Sequence, residues 1–195
     1  MFQSFETTSR PEQGPPRLAA LRAALAKAGL DGFIVPRADA HQGEYVAPAD
    51  QRLAWLTGFT GSAGFCIVLP RIAGVFIDGR YRTQVKAQVD LAAFTPVNWP
   101  EVKPAAWLLE HLPNGGQVAY DPWLHTAKEV ADLEAALEGS GVTLCAAKNF
   151  VDAIWADRPP APLGPVSVQP DDLAGESAAA KCARLAAGLK AAGQS

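Results

Sequence analysis

Cysteine is scarce in this chain of 195 residues. Cys66, Cys145 and Cys182 are far apart and odd in number. They form no CxxC pair and no disulfide framework, and they read as buried or inert thiols of a reducing compartment. Long apolar runs are also missing: nothing approaches the roughly 18 consecutive apolar residues of a membrane span. The opening MFQSFETTSRPEQGPPR is polar and proline-containing and lacks the apolar core of a secretory signal. No Lys/Arg run occurs, and a net charge of -3 with a pI near 5.6 repels phosphates. These absences set the expectation of a cytoplasmic, soluble protein with no nucleic-acid or membrane partner.

The usual catalytic signatures are absent as well. His41, His111 and His125 are scattered, with no HExxH, no HxH and no Asp/Glu/His set at metal-ligand spacing. A nucleophile elbow GxSxG is missing, and Gly61-Ser62-Ala63-Gly64 has the wrong spacing for one. Neither phosphate-binding glycine loop is present. The sequence thus assigns no catalytic residue and no metal ligand to this chain, although a site assembled from distant residues stays open.

What the chain does have is the balance of a globular protein, 49% hydrophobic and 19% charged, and enough length for one α/β domain with a core. Leu18, Leu21 and Leu25 repeat at helical spacing from Arg17 to Ala28, and Gly29 supplies a stop. Gly32–Pro36 suits a buried strand, and a helix is expected around residues 51–56. Gly64–Leu69 and Ala73–Asp78 read as a hairpin split by Pro70-Arg71. A helix over Tyr81–Val89, a strand near 94–97 and a helix near 105–111 follow. Gln117–Asp121 and Gly141–Cys145 read as strands. Between them lies an amphipathic helix, Thr126–Leu137, with Thr126 and Glu129 at the spacing of a capping box. A short helix over 150–155 closes the series. Strands alternating with helices predict a layered α/β domain with a largely buried, mixed β-sheet flanked by helices.

Composition then changes. Pro159, Pro160, Pro162, Pro165 and Pro170 exclude a helix or a central strand and mark a linker. Beyond it, Lys181–Gly193 resembles Arg17–Gly29: Cys182 falls against Leu18, Leu185 against Leu21, Leu189 against Leu25, and Gly193 against Gly29. Both segments are alanine-rich, so chance similarity between two amphipathic helices is the competing explanation. The expected organisation is a flexible leader over 1–15, a folded domain over 16–157, a linker over 158–172, and over 173–195 the first helix of a second, similarly built domain that is truncated.

Four local patterns stand out. Asp39-Ala40-His41-Gln42-Gly43-Glu44-Tyr45 is a polar loop after a strand end, either lining a cleft or simply solvated. Gly58-Phe59-Thr60-Gly61-Ser62-Ala63-Gly64 suits tight turns. In Asp78-Gly79-Arg80-Tyr81, Arg80 can pair with Asp78 or present its guanidinium to a carboxylate or carbonyl of a ligand. Ile154-Trp155-Ala156-Asp157-Arg158-Pro159 reads as a structural clasp before the linker.

In order, VPRADAHQGEYVAP, LTGFTGSAG, IDGRYRTQ and VDAIWADRP resemble the amino-terminal domain of long, three-domain cytosolic Xaa-Pro aminopeptidases, relatives of creatinase and prolidase. The resemblance runs from about Gly32 to Pro159. It implies a creatinase-type N-terminal fold, repeated in a second domain, and a third, pita-bread domain that binds two divalent metals, usually manganese. That third domain removes the residue preceding proline, and none of its ligands lies here. By resemblance Arg80 helps bind substrate at the mouth of the active site, with His41, Glu44, Asp78 and Tyr81 in supporting positions. Gly43 stands where similar sequences carry serine, which is expected to loosen the loop. The implied partners are the second and catalytic domains of the same polypeptide, an Xaa-Pro peptide, and a second copy in a homodimer. The function expected is a non-catalytic domain for substrate gating and assembly. A stand-alone peptide- or protein-binding module is the alternative, and a small independent enzyme with a concealed site is the third reading.

Overall fold

The computed structural model describes residues 9–194. It divides into two units, residues 1–161 and 162–195. Residues 1–8 of the expected leader lie outside the described residues.

In the first unit, α1 (Gly14–Lys27) buries Leu18, Leu21 and Leu25, and ends where Gly29 adopts φ +71°. It starts inside the segment expected as leader, led by a 3-10 turn at Pro11–Gln13, and the Ser9 hydroxyl donates to the Gly58 and Gln88 carbonyls. The strands are β1 (Gly32–Pro36), β2 (Phe65–Val68), β3 (Ala73–Ile77), β4 (Thr95–Asn98), β5 (Gly116–Tyr120) and β6 (Val142–Ala146). Helices α2 (Arg52–Thr57), α3 (Gln84–Gln88), α4 (Pro104–His111), α5 (Ala127–Leu137) and α6 (Phe150–Ile154) connect them. One six-stranded sheet results, in the order β4-β3-β2-β1-β5-β6. Pairing is antiparallel on both sides of β2 and parallel elsewhere, so β2 alone runs against the other five strands.

Strand alternation divides the core between the two faces of the sheet. Phe33, Val35, Cys66, Val68, Val75 and Ile77 pack with α1, α2 and α6. Ile34, Ile67 and Phe76 turn the other way, onto Trp107 and Leu108 of α4 and Leu137 of α5. Burial on both faces explains why β1 and β3 read as continuous apolar runs. Each fully buried Leu or Phe stabilises this arrangement by about 1.5–3 kcal/mol. The fold is therefore the mixed-sheet α/β layer structure that the sequence predicts. Gly74 permits the close approach of α4, since a Cβ there would meet the Trp107 ring at 2.8 Å.

Two elements differ from the sequence reading. The helix expected over 81–89 is a 3-10 turn, Gly79–Tyr81, followed by the short α3, because Asp78 caps the first turn alone. The capping box of α5 forms as expected, with Thr126 and Glu129 bonding reciprocally. The second unit contains α7 (Asp171–Ala174), a turn the sequence did not announce, and α8 (Ala178–Ala191), capped by the Ser177 hydroxyl. Neither α7 nor α8 has a buried residue. Of the free cysteines Cys66 is buried, which pushes its thiol pKa up, whereas Cys182 is exposed.

Candidate functional site

Because five strands share one direction, their carboxyl ends lie along one edge of the sheet. That edge collects the loops after β1, β3, β4, β5 and β6, together with the loop that enters the reversed β2. Open α/β sheets bind ligands beyond such an edge. All five candidate residues sit there, in two groups.

The first group is built on the end of β3. The Asp78 carboxylate accepts the Arg80 backbone N–H at 2.9 Å and the Arg80 guanidinium at 2.7 Å through Nη2, with Nε at 3.1 Å. The two possibilities for Arg80 are thus compatible: one side of the fork holds Asp78, and the side chain is still 64% exposed. Its Nη1 makes no hydrogen bond among the described residues. Arg80 also lies over the Tyr81 ring, 5.1 Å from the centroid. The bonds from Arg80 hold the Asp78 carboxyl below the usual carboxylate range.

Tyr81 is fixed from behind. Its hydroxyl and that of Ser62 share a 2.5 Å hydrogen bond, which lowers the phenol pKa, and its ring meets buried Phe59 edge-on at 5.5 Å. Ser62 belongs to the glycine loop, where Gly64 has φ +146° and its α-carbon faces the Phe76 carbonyl, so a side chain is excluded on both counts. Gln88 ties the loop down by accepting from Thr60 N–H and donating to the Thr60 hydroxyl. The glycine loop is more than a turn: it supplies a hydroxyl to the candidate site, a role its sequence pattern did not separate from turn chemistry.

The second group follows β1. Asp39 Oδ1 accepts the backbone N–H groups of His41 and Gly43, each at 2.9 Å, and these bonds pull the Asp39 pKa down. Arg37 donates to the Glu44 carbonyl at 2.7 Å. The His41 and Glu44 side chains are exposed, and no hydrogen bond among the described residues joins them to Asp78, Arg80 or Tyr81. At Gly43, the expected loosening residue, the backbone N–H is bonded to Asp39 and a Cβ would lie 3.0 Å from Asp39 Oδ2. A cleft of about 70 Å³ is lined by Arg37, Gln51 and Thr60 together with apolar Val46, Leu53 and Phe59, and none of the five candidate residues lines it. Arg37 and Thr60 lie inside motifs quoted from the sequence but were given no role there, since one cation after a strand and one threonine in a loop are unremarkable until the fold brings them together.

The fourth pattern closes the unit. Trp155 stacks on Trp55 with centroids 5.1 Å apart, and Arg17 covers the other ring at 4.4 Å. Buried Arg52 in α2 bonds Asp152 through two nitrogens and Asp50 through the third, while Arg158 bridges Asp50, Asp152 and the Ala49 carbonyl. Arg158, placed in the linker by its sequence position, is thereby tied to the first unit. The expected linker also includes the first residues of α7.

Among the described residues no group of three or more His, Cys, Asp or Glu side chains is placed to hold a metal ion. No described helix is long and apolar enough to cross a membrane. The arrangement offers a fixed, exposed guanidinium and a small cleft of mixed polar and apolar lining.

Residues 17–154 match the family described as the creatinase/prolidase N-terminal domain. The chain is 37% identical over 169 residues to Xaa-Pro aminopeptidase 2 of Rattus norvegicus, covering 83% of this chain and 24% of that protein. It is 39% identical over 157 residues to the Homo sapiens protein of the same name, covering 76% and 22%. It thus spans about a quarter of the length of these curated relatives. Among solved structures, an X-prolyl aminopeptidase from Caenorhabditis elegans, described as a cytosolic enzyme with a di-nuclear active site, matches with a TM-score of 0.79 at 30% identity, over 90% of this chain and 31% of that one. The N-terminal domain of the cytoplasmic peptidase PepQ from Mycobacterium tuberculosis matches with a TM-score of 0.56 at 26% identity, over 72% and 98%. The chain belongs to the creatinase/prolidase N-terminal domain family.

Proposed function

We propose that this domain is the non-catalytic N-terminal part of an Xaa-Pro aminopeptidase, and that it gates and positions the peptide substrate through Arg80. The observation that carries this reading is the half-engaged guanidinium of Arg80: Asp78 and Tyr81 fix its direction while its outer nitrogen stays open to solvent. Exposed aromatics share the same sheet edge, Tyr45 at 90% and Trp123 at 76% in the loops after β1 and β5. An edge that displays aromatic rings beside a fixed cation suits a surface covered by another part of the same polypeptide.

Proline has no N–H and fixes φ, so an Xaa-Pro bond suits poorly a site that binds an extended strand through its amides. A capping domain that orients the peptide by its carbonyl or carboxylate groups and excludes water offsets that loss. In this reading the two divalent metals of the whole enzyme, manganese among them, belong to another domain, and Arg80 and its neighbours bind and orient the peptide. His41 and Glu44 are supporting residues in this reading, exposed in the loop after β1, and Asp78 and Tyr81 are positioning residues for Arg80. We read residues 173–195 as the opening of a second domain of the same build, and the whole protein as a cytoplasmic homodimer.

The decisive assay is hydrolysis of an Xaa-Pro peptide by the purified chain with manganese present and chelator as control. No turnover is expected, and chelator-sensitive turnover would overturn the proposal. In the intact polypeptide, Arg80→Ala should raise KM with little change in kcat. A loss in kcat alone would remove Arg80 from substrate binding.

A further inference from the structure

The two edges of the sheet are unlike. At one, β4 carries Pro96, which removes a backbone donor from the strand. At the other, β6 has no proline and no lysine from Val142 to Ala146. The Gly141 carbonyl accepts from Gly116 and the Ala147 N–H donates to Tyr120, both across to β5. Backbone groups alternate sides along a strand, so Thr143 and Cys145 face β5 while Val142, Leu144 and Ala146 turn their amides outward. The Val142 N–H is taken by the Ser140 hydroxyl at 3.1 Å. The amide groups of Leu144 and Ala146 are left on the open side.

A groove of about 590 Å³ runs along this edge against α5. Leu137, Val142 and Leu144 give it an apolar floor, and among the described residues Glu134 and Glu138 are the only charged ones that line it. Neither glutamate is in an ion pair among the described residues, so the groove is apolar at its base and anionic at its rim. Two copies of the chain paired through β6 would bring both pairs of carboxylates together with no cation in the lining, which disfavours self-association.

We propose that the β6 edge takes an extended polypeptide segment as a seventh strand. The amides of Leu144 and Ala146 supply its hydrogen bonds. On the side facing α5 the segment carries apolar and basic side chains in turn: the apolar one fills the groove, and the lysine or arginine meets Glu134 and Glu138. This surface is distinct from the Arg80 cluster and does not depend on the peptidase reading.

The test is fluorescence anisotropy of a labelled probe, Val-Thr-Lys-Thr-Val-Thr-Lys with blocked ends, titrated with the purified chain. Saturable binding with a Kd of about 10–100 µM is expected. Binding should weaken roughly tenfold when both lysines of the probe become glutamate, or when the chain carries Glu134→Lys and Glu138→Lys together. N-methylation of one alternate set of probe amides should abolish binding, and methylation of the other set should not, because only one set faces β6. The exposed positions of both glutamates keep the double variant folded, and the methylated probes leave the protein unaltered. Absence of saturable binding, equal binding of the lysine and glutamate probes, or indifference to both methylation patterns overturns the proposal. So does a concentration-dependent dimer in sedimentation that the probe fails to dissociate.

Discussion

Helices α1 and α8 share a pattern and an ending, and differ in what surrounds them. Leu18, Leu21 and Leu25 correspond to Cys182, Leu185 and Leu189, and Gly29 at φ +71° corresponds to Gly193 at φ +69°. Even the closing bonds match. Leu30 N–H donates to Leu25 as Gln194 N–H does to Leu189, and Ala28 donates to Ala24 as Ala192 does to Gly188. Yet the three apolar positions of α1 are buried, while Leu185 and Leu189 are 59% and 55% exposed. Local sequence therefore sets where each helix stops, and the sheet beside α1 supplies its burial. An amphipathic helix is stabilised mainly by what its apolar face meets.

The widest gap between the two regions is expected from truncation of equivalent leucines. Leu21→Ala should destabilise the first unit by about 2–5 kcal/mol, the cost of a core cavity. Leu185→Ala should change stability by less than about 0.5 kcal/mol in this chain. Urea unfolding followed by tryptophan fluorescence separates them, and equal losses would mean that α8 has a buried role that its exposure does not reveal.

Ion pairs should repeat the contrast at smaller size. Removing Asp152 leaves buried Arg52 with Asp50 alone, and Asp152→Ala should cost about 2 kcal/mol, less than a fully buried pair because Asp152 is partly solvated. Glu176→Ala, which breaks the exposed pair with Arg184, should cost under about 1 kcal/mol. The same denaturation experiment decides this, and a negligible loss for Asp152→Ala would show that the clasp is held by the Trp55–Trp155 stack instead.

Gly29 and Gly193 sharpen the comparison from the other direction. Each sits in the left-handed region, so alanine at either should cost about 1 kcal/mol. In α1 that cost should appear in global stability. In α8 it should appear only as faster amide exchange at Ala192 and Gln194, because local opening there uncouples from the core. Protection at Gln194 unchanged by Gly193→Ala would refute the shared cap.

These contrasts also show what sequence could carry. Periodicity located α1, α5 and the buried strands of the sheet, because a strand buried on two sides and a helix buried on one leave different patterns. The Thr126–Glu129 box was legible because its partners are three residues apart. The Arg52–Asp152 pair joins residues a hundred positions apart, and no local spacing announces it. Ser62 was hidden for the same reason, since its partner Tyr81 lies across the β2–β3 hairpin. The candidate site was legible in part: Asp78 and Arg80 are near neighbours in sequence, but their carboxyl-edge location depends on β2 alone being reversed.

The smallest effect separates the two groups at that edge by what lowers each carboxylate. Asp78 is held down by the Arg80 guanidinium, and Asp39 by the N–H groups of Gly43 and His41. A carboxyl with a depressed folded pKa stabilises the fold above its unfolded value, about 3.9. That contribution is lost as pH falls through the lower, folded value. Both residues should therefore titrate below the ordinary range when followed through their carboxyl carbon shifts. Arg80→Ala should return Asp78 toward the ordinary value and leave Asp39 in place, since backbone N–H groups are untouched by that change. If Asp78 titrates normally with Arg80 intact, the pair is not formed in solution, and the fixed direction of Arg80, on which the gating role rests, is lost with it.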